Sequence, residues 1–455
     1  MLRAAVAAGH PATTRAGVEI LEAGGSAADA AVAACLASCV AETVMTGLLG
    51  GGHAIYWDAS AGCAVNVDCF CSVPGGTGGE PIELHVPFGE ELVRYAVGAA
   101  SCAVPGLPAG LDLLWREHGR LPWAELCAPA LRLAQDGVPM PAQHAACLAM
   151  LEPVMTMREG GRIYAPAGRL LRHGELLDQP GLVRALELLA GEGAASVYTG
   201  SIAGVLLELM AERGGLVTRD DLEAYRATPS EPVEVPYAGA RFLTRGGLAG
   251  VAGVLTTLPR LGGEPGRTLA LVAALETARD PGTHTTNLVT ADADGNACVL
   301  TTSLGLGSGD WLPGLDLHLN SMLGETDLLV GPLEPGRRMQ SMMAPSLAIA
   351  GDGIELAIGS AGGTRLRTAL VGVTAGILDE GLDPQAAVDR ARVHRADDVV
   401  NAEPGADEQA LAELERRGLT VRHWPERHHY FGGVSLISNR GATADPRRNG
   451  SALPA

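Results

Sequence analysis

Thr285-Thr286-Asn287 opens a stretch that runs through Asp292-Ala293-Asp294-Gly295-Asn296 to Thr301-Thr302-Ser303. Residues 286–291 read as a strand, Asp294-Gly295-Asn296 as a tight turn, and residues 297–303 as the returning strand. Asp-Gly and Gly-Asn supply the positive φ that such a turn requires. The preceding Asp280-Pro281-Gly282-Thr283-His284 is loop-like. A cut before Thr285 would leave one residue with both a hydroxyl and a free α-amine, a nucleophile that carries its own general base. Hairpins are common, so the weight of this one comes from what stands on either side.

Towards the N-terminus lie Ala8-Gly9-His10-Pro11-Ala12, the run from Ile20 to Ala31 (ILEAGGSAADAA) and Thr46-Gly47-Leu48-Leu49-Gly50-Gly51-Gly52. The middle holds Val104-Pro105-Gly106-Leu107-Pro108-Ala109-Gly110 and the LRLAQDG run from Leu131 to Gly137. After the hairpin come Leu319-Asn320-Ser321-Met322, Ser341-Met342-Met343-Ala344-Pro345-Ser346, Gly359-Ser360-Ala361-Gly362-Gly363-Thr364-Arg365 and Ala444-Asp445-Pro446-Arg447. Each motif is weak alone. In this order, over nearly the whole chain, they resemble the γ-glutamyltransferase (γ-glutamyltranspeptidase) family of N-terminal-nucleophile hydrolases, as a divergent member of actinobacterial type.

The resemblance implies an α/β fold, a four-layer α/β/β/α sandwich. It also implies a precursor that cleaves itself. The threonine hydroxyl attacks the carbonyl before it, an N→O acyl shift gives an ester, and water opens that ester. The spacing to Asp294-Gly295-Asn296 places Thr285 at the family's nucleophile, so the scissile bond is expected between His284 and Thr285. Thr283 and Thr286 are rivals by proximity. The products would be a large segment, 1–284, and a small segment, 285–455, together forming one unit. A dimer of that unit is left open. Ser303 falls where the family has a second threonine that hydrogen-bonds the nucleophile. Gly362 and Gly363 match the oxyanion-hole glycines, where backbone N–H groups must approach the substrate closely. No cofactor or metal is implied.

The family's amino-acid clamp is largely absent. Phe70 stands at the arginine that grips the substrate α-carboxylate, a task suited to bidentate geometry. Ser341 keeps the first of two carboxylate-binding serines, and Met342 replaces the second. On the amine side Gly305 replaces an asparagine, Met322 a Gln or Glu, and Glu325 an aspartate, which would keep the charge. Arg337 and Arg338 are the candidates to compensate. The segment after the strand pair at 232–244 is shorter than in typical members, which implies a cleft lacking one wall.

Composition narrows the rest. A length of 455 residues allows two to three domains. No run of about 18 apolar residues occurs, so no membrane span is expected. The N-terminus passes at once into the first motif, with no room for a signal peptide, and the expected location is the cytoplasm. A formal net charge of −19 opposes nucleic acid or an anionic membrane as partner. There is no lysine, which removes Schiff-base and Ser–Lys chemistry. The nine cysteines are odd in number and lack any CxxC pair, which reads as free thiols in a reducing compartment. Cys69 and Cys71 are spaced to share a strand face without a companion metal cluster. Gly50-Gly51-Gly52 lacks dinucleotide-fingerprint spacing and reads as a packing turn. His423, His428 and His429 read as surface or interface residues.

Periodicity predicts helices at 12–24, 26–40, 267–279 and 365–380, and helical structure from about 84 to 226. It predicts strands at 53–58, 63–68, 232–236, 241–244, 346–350, 354–358, 419–423 and 433–438. Three functions remain in play. The first is an autoprocessing threonine hydrolase or acyltransferase acting on an amino-acid-derived, specialised-metabolite small molecule. The second is hydrolytic C–C cleavage, the chemistry associated with family homologues in alkylproline antibiotic pathways. The third is a non-catalytic relic acting as a binding protein.

Overall fold

A computed structural model of the chain describes residues 2–88, 91–275, 285–351 and 353–455. The hairpin forms as its sequence predicts. Thr286–Ala291 pairs antiparallel with Ala297–Ser303 in the register Thr286↔Thr302. Gly295 takes φ +87° in the turn. Asp292 organises that turn: its Oδ1 accepts from the Asp294 and Asn296 amides, both at 3.0 Å. Its Oδ2 accepts from Ala27 N at 3.0 Å, which ties the turn to the start of a helix.

The two strands lie at the centre of a seven-stranded sheet. Its order is Ser451–Pro454, Ala5–Ala8, Thr286–Ala291, Ala297–Ser303, Gly51–Asp58, Cys63–Cys69 and Thr228–Ser230. A six-stranded sheet faces it, in the order Gly441–Ala444, Gly433–Ser438, Gly353–Ala361, Ser346–Ala350, Ala240–Thr244 and Val233–Tyr237. Side chains alternate faces along a strand, and three apolar layers follow from that. Val289, Val299, Leu347, Ala357 and Ile437 fill the space between the sheets. Leu288, Cys298 and Leu300 point the other way, into a core shared with the helices Pro11–Glu22 and Ala27–Ala41. Phe242, Leu356, Ile358 and Leu436 pack outward against Arg365–Leu378. The result is the α/β/β/α sandwich.

Ala27–Ala41 is buried on every side. A helix apolar all round belongs in a core, and its run of alanines lets neighbouring backbones approach. Ser26 and Asp29 form a capping box at its start. Among the described residues no single helix is long and apolar enough to cross a membrane.

Several expectations need correction. The helical reading from residue 84 began too early, because Ile82–Phe88 and Glu91–Val97 form an antiparallel hairpin. Val86, Tyr95 and Val97 are buried while Glu83, His85, Leu92 and Arg94 are exposed, an alternation with a period of two. The helix expected at 267–279 spans Gly266–Ala274, and residues 276–284 lie outside the described ones. Cys63 is exposed, whereas the other eight cysteines are buried.

Candidate active site

Thr285 immediately precedes the Thr286–Ala291 strand, and extending the register sets it opposite Ser303. Neighbouring side chains on this strand serve different spaces. The Thr286 hydroxyl donates to Glu42 Oε2 at 2.5 Å, on the helix side. Asn287 points between the sheets, where its Nδ2 donates to Gly433 O at 3.2 Å and its Oδ1 accepts from Ser435 N at 3.1 Å. Alternation therefore puts the Thr285 side chain on the inter-sheet side. The rival Thr286 faces away from Gly363 and is already bonded. The other rival, Thr283, and the His284 side of the expected scissile bond lie outside the described residues.

Thr285, Ser303, Gly305, Met322, Ser341, Met342, Gly363 and Phe70 line one cavity with Leu328, Met343 and Leu366. Its walls come from segments that are hundreds of residues apart in the chain. Phe70, Met322, Leu328 and Met343 are each at most 5 % exposed and belong to one apolar cluster. Gly362 and Gly363 end the Gly353–Ala361 strand and lead into the helix Arg365–Leu378. Both adopt positive φ, +128° and +60°, which a side chain would strain. A Cβ on Gly362 would also come within 2.8 Å of Gly432 Cα.

Ser303, beside the nucleophile, and the clamp residues Ser341 and Glu325 each accept from a nearby backbone amide. Ser303 Oγ accepts from Gly305 N at 2.8 Å. Ser341 Oγ accepts from Met343 N at 3.2 Å. Glu325 Oε1 accepts from Leu306 N at 3.1 Å. Glu325 is buried, and that burial pushes its carboxyl well above the usual carboxylate range. It was expected to keep a negative charge for a substrate amine, and burial works against that charge. At Gly305 a Cβ would lie 2.7 Å from Glu325 Oε1 and 2.8 Å from Ser321 Oγ, so an asparagine there would require those side chains to shift.

The expected compensating arginines do not line the cavity. Arg338 donates to Phe70 O at 2.8 Å and to Arg226 O at 2.6 Å. It also pairs with Asp68 at 3.3 Å and lies over the Tyr225 ring. Arg337 is largely exposed beside Glu334. Arg245, which the sequence did not single out, donates to the Ser341 carbonyl at 3.1 Å. The three glycines at 50–52 serve close approach, since a Cβ on each would strike the backbone of Ser303, Cys71 or Thr301. Among the described residues no three His, Cys, Asp or Glu side chains are grouped to hold a metal.

A second cavity meets Thr285 from behind. Glu42, Met45, His144, Thr285, Thr286, Asp445 and Arg448 line it, among others. Sequence reading missed Glu42 and Arg448. Glu42 is a single carboxylate at the end of an alanine-rich helix, and Arg448 follows a motif arginine, so neither signals a site. Burial pushes the Glu42 carboxyl up to about 7, despite hydrogen bonds from Thr13 and Thr286 and the charge of Arg448.

Two facing sheets with helices outside, and a threonine at the head of an inner strand, are the arrangement of an N-terminal-nucleophile hydrolase. The chain belongs to the γ-glutamyltranspeptidase family: the family model described as gamma-glutamyltranspeptidase matches residues 13–262 and 265–455. It is 27 % identical to the acylase ACY 1 proenzyme of Pseudomonas sp. (strain V22), over 96 % of this chain and 90 % of that one. It is 24 % identical to the glutathione hydrolase proenzyme of Bacillus subtilis (strain 168), over 98 % and 91 %. In fold it is similar to the cephalosporin acylase from Bacillus halodurans, with a TM-score of 0.82 at 24 % identity, over 99 % of this chain and 96 % of that one.

Proposed function

We propose that this chain is a precursor that cleaves itself between His284 and Thr285, and that the mature enzyme hydrolyses or transfers an acyl group ending in an apolar moiety. Thr285 is the nucleophile. Its hydroxyl proton passes to its own α-amine as Oγ bonds to the acyl carbon. The amine then gives that proton to the leaving group, and water releases the acyl product. Gly362 and Gly363 hold the oxyanion with backbone N–H groups. Ser303 positions the nucleophile.

The observation that carries the substrate class is the cavity wall of Phe70, Met322, Leu328, Met342 and Met343 facing Thr285. A γ-glutamyl group would bring an ammonium and a carboxylate into that space, and among the described residues no charged side chain lines it. Each lost charge-assisted hydrogen bond costs roughly 1.5–3 kcal/mol, and desolvating an unpaired charge costs more. The acylase name of one relative agrees with an acyl group of another kind. The substrate is amino-acid-derived only in the part that lies outside this cavity.

The test starts with denaturing electrophoresis and N-terminal sequencing. Wild type should give two fragments, the smaller beginning at Thr285, and Thr285→Ala should remain one chain. A start at Thr283 or Thr286 would move the site. An intact but active wild type would overturn the mechanism, and an intact, inactive one would favour a relic. The mature enzyme should then release amine from apolar N-acyl amides and leave a γ-glutamyl anilide almost untouched.

A further inference from the structure

The cavity behind Thr285 holds a guanidinium and a carboxyl group that are not paired with each other. Arg448 enters from the turn at Pro446–Arg448 and is 7 % exposed. Its Nη1 donates to the Thr285 carbonyl oxygen at 3.1 Å, and its Nη2 to His429 O at 3.3 Å. Its Nε is buried without a partner. The same guanidinium lies beside Gly362, where a Cβ would be 3.2 Å from Nη2. Among the described residues no carboxylate comes within 4 Å of it. Glu42, 1 % exposed, is held on the far wall by the Thr13 and Thr286 hydroxyls.

The other ionisable groups around the chamber are already neutral or paired. His144 and His10 are kept neutral, at about 3 and about 4, by burial. Asp445 binds Arg392 and Arg447 rather than Arg448. Burial disfavours the charged form of Glu325, on the cavity side. Arg365 bonds Tyr430 O at 3.1 Å and lies over the Tyr430 ring. Among the described residues, that leaves Arg448 and, above about pH 7, the Glu42 carboxylate to act on Thr285 from behind.

We propose that Arg448 is a positioning residue that keeps the α-amine released at Thr285 in its free-base form, with Glu42 on the opposite wall pulling the other way. The proposal rests on cleavage before Thr285. A guanidinium hydrogen-bonded to a residue's carbonyl oxygen lies a few ångströms from that residue's nitrogen. A like charge at that distance disfavours protonation, and a free base is the form that can take the hydroxyl proton. Arg448 also fixes Thr285 against Gly362, so one side chain sets both the position and the basicity of the nucleophile.

The chain itself makes the test clean. It has no lysine, so after cleavage the only primary amine on the fragment 285–455 is that of Thr285. Competitive acetylation with acetic anhydride across pH, read by intact mass of that fragment, titrates this one amine. In wild type its midpoint should lie about one pH unit below an ordinary α-amine, which titrates near 7.7–8.0. Arg448→Met should raise the midpoint by about one unit, and Glu42→Gln, of the same shape and able to bond both threonines, should lower it. Coincident titrations of wild type and Arg448→Met would overturn the proposal. Should Arg448→Met fail to mature, Glu42→Gln decides alone, and an unmoved midpoint there overturns it too. A fragment whose mass shows another N-terminus would instead sink the cleavage reading on which this one stands.

Discussion

At the scale of single residues, alternation along one strand separates three neighbouring jobs. Thr286 is bonded to Glu42 on the helix side, Asn287 ties the two sheets together, and Thr285 meets the cavity. The glycine pair shows how backbone conformation adds to chemistry. From sequence, a bulky residue at Gly362 or Gly363 is expected to cost activity, and to leave folding largely intact only if positive φ is not needed there. The structure shows that it is needed, because both glycines have positive φ, and Gly362 also abuts Gly432. Gly363→Val should therefore cut turnover by about 10²-fold or more, the scale of losing one oxyanion donor. It should also lower stability by about 1–2 kcal/mol, the cost of a left-handed conformation for an L-residue. Thermal unfolding and turnover measured on the same preparation check both. Normal turnover would remove Gly363 from the site.

At the scale of elements, the apolar wall is assembled from separate segments. Phe70 follows the Cys63–Cys69 strand, Met322 opens a short 3₁₀ turn, and Met342 and Met343 precede the Ser346–Ala350 strand. Reverting one of them should do little. Phe70→Arg would place a guanidinium beside Met342 while burial disfavours the charge on Glu325, so a poorly paired charge would be desolvated. Phe70→Arg combined with Met342→Ser has the better prospect of gaining activity on a γ-glutamyl anilide, and the single change should gain almost none. Steady-state kcat/KM of the mature variants checks this. A wild-type value of about 10⁴ M⁻¹s⁻¹ or above on that anilide would mean that the clamp is rebuilt from other residues.

At the scale of the whole molecule, buried ionisable groups shape the dependence of stability on pH. Folding raises the Glu42 carboxyl from 4.5 to about 7, chiefly through burial. A carboxyl raised in the fold favours folding below its unfolded value, and that contribution is lost as pH climbs through the folded one. The loss is about 3 kcal/mol between pH 4 and pH 8. Glu42→Gln should thus resemble wild type in stability at pH 4 and exceed it at pH 8, as measured by urea unfolding. Equal stability at both pH values would show that the carboxyl ionises freely. His10 and His144 act in the opposite sense. Burial depresses them to about 4 and about 3, so stability declines as pH falls below about 6.5 towards those values.

The hairpin, the glycine pair before a helix and the period of Pro11–Glu22 were all legible in the sequence. Each depends on contacts between residues near one another in the chain. The order of motifs likewise carried the family and, through it, the layered fold. Tertiary structure alone decided three other matters. It paired Ile82–Phe88 with Glu91–Val97, two strands too short for their period of two to stand out in the sequence. It closed Phe70 against Met322 and Met343, residues more than 250 positions away, and so made the pocket apolar. It also brought Arg448 to the Thr285 carbonyl from the far end of the chain and left Glu42 in a place without water. Local pattern records which residues a strand or turn prefers. Burial, charge separation and the space for a side chain arise only when distant segments meet.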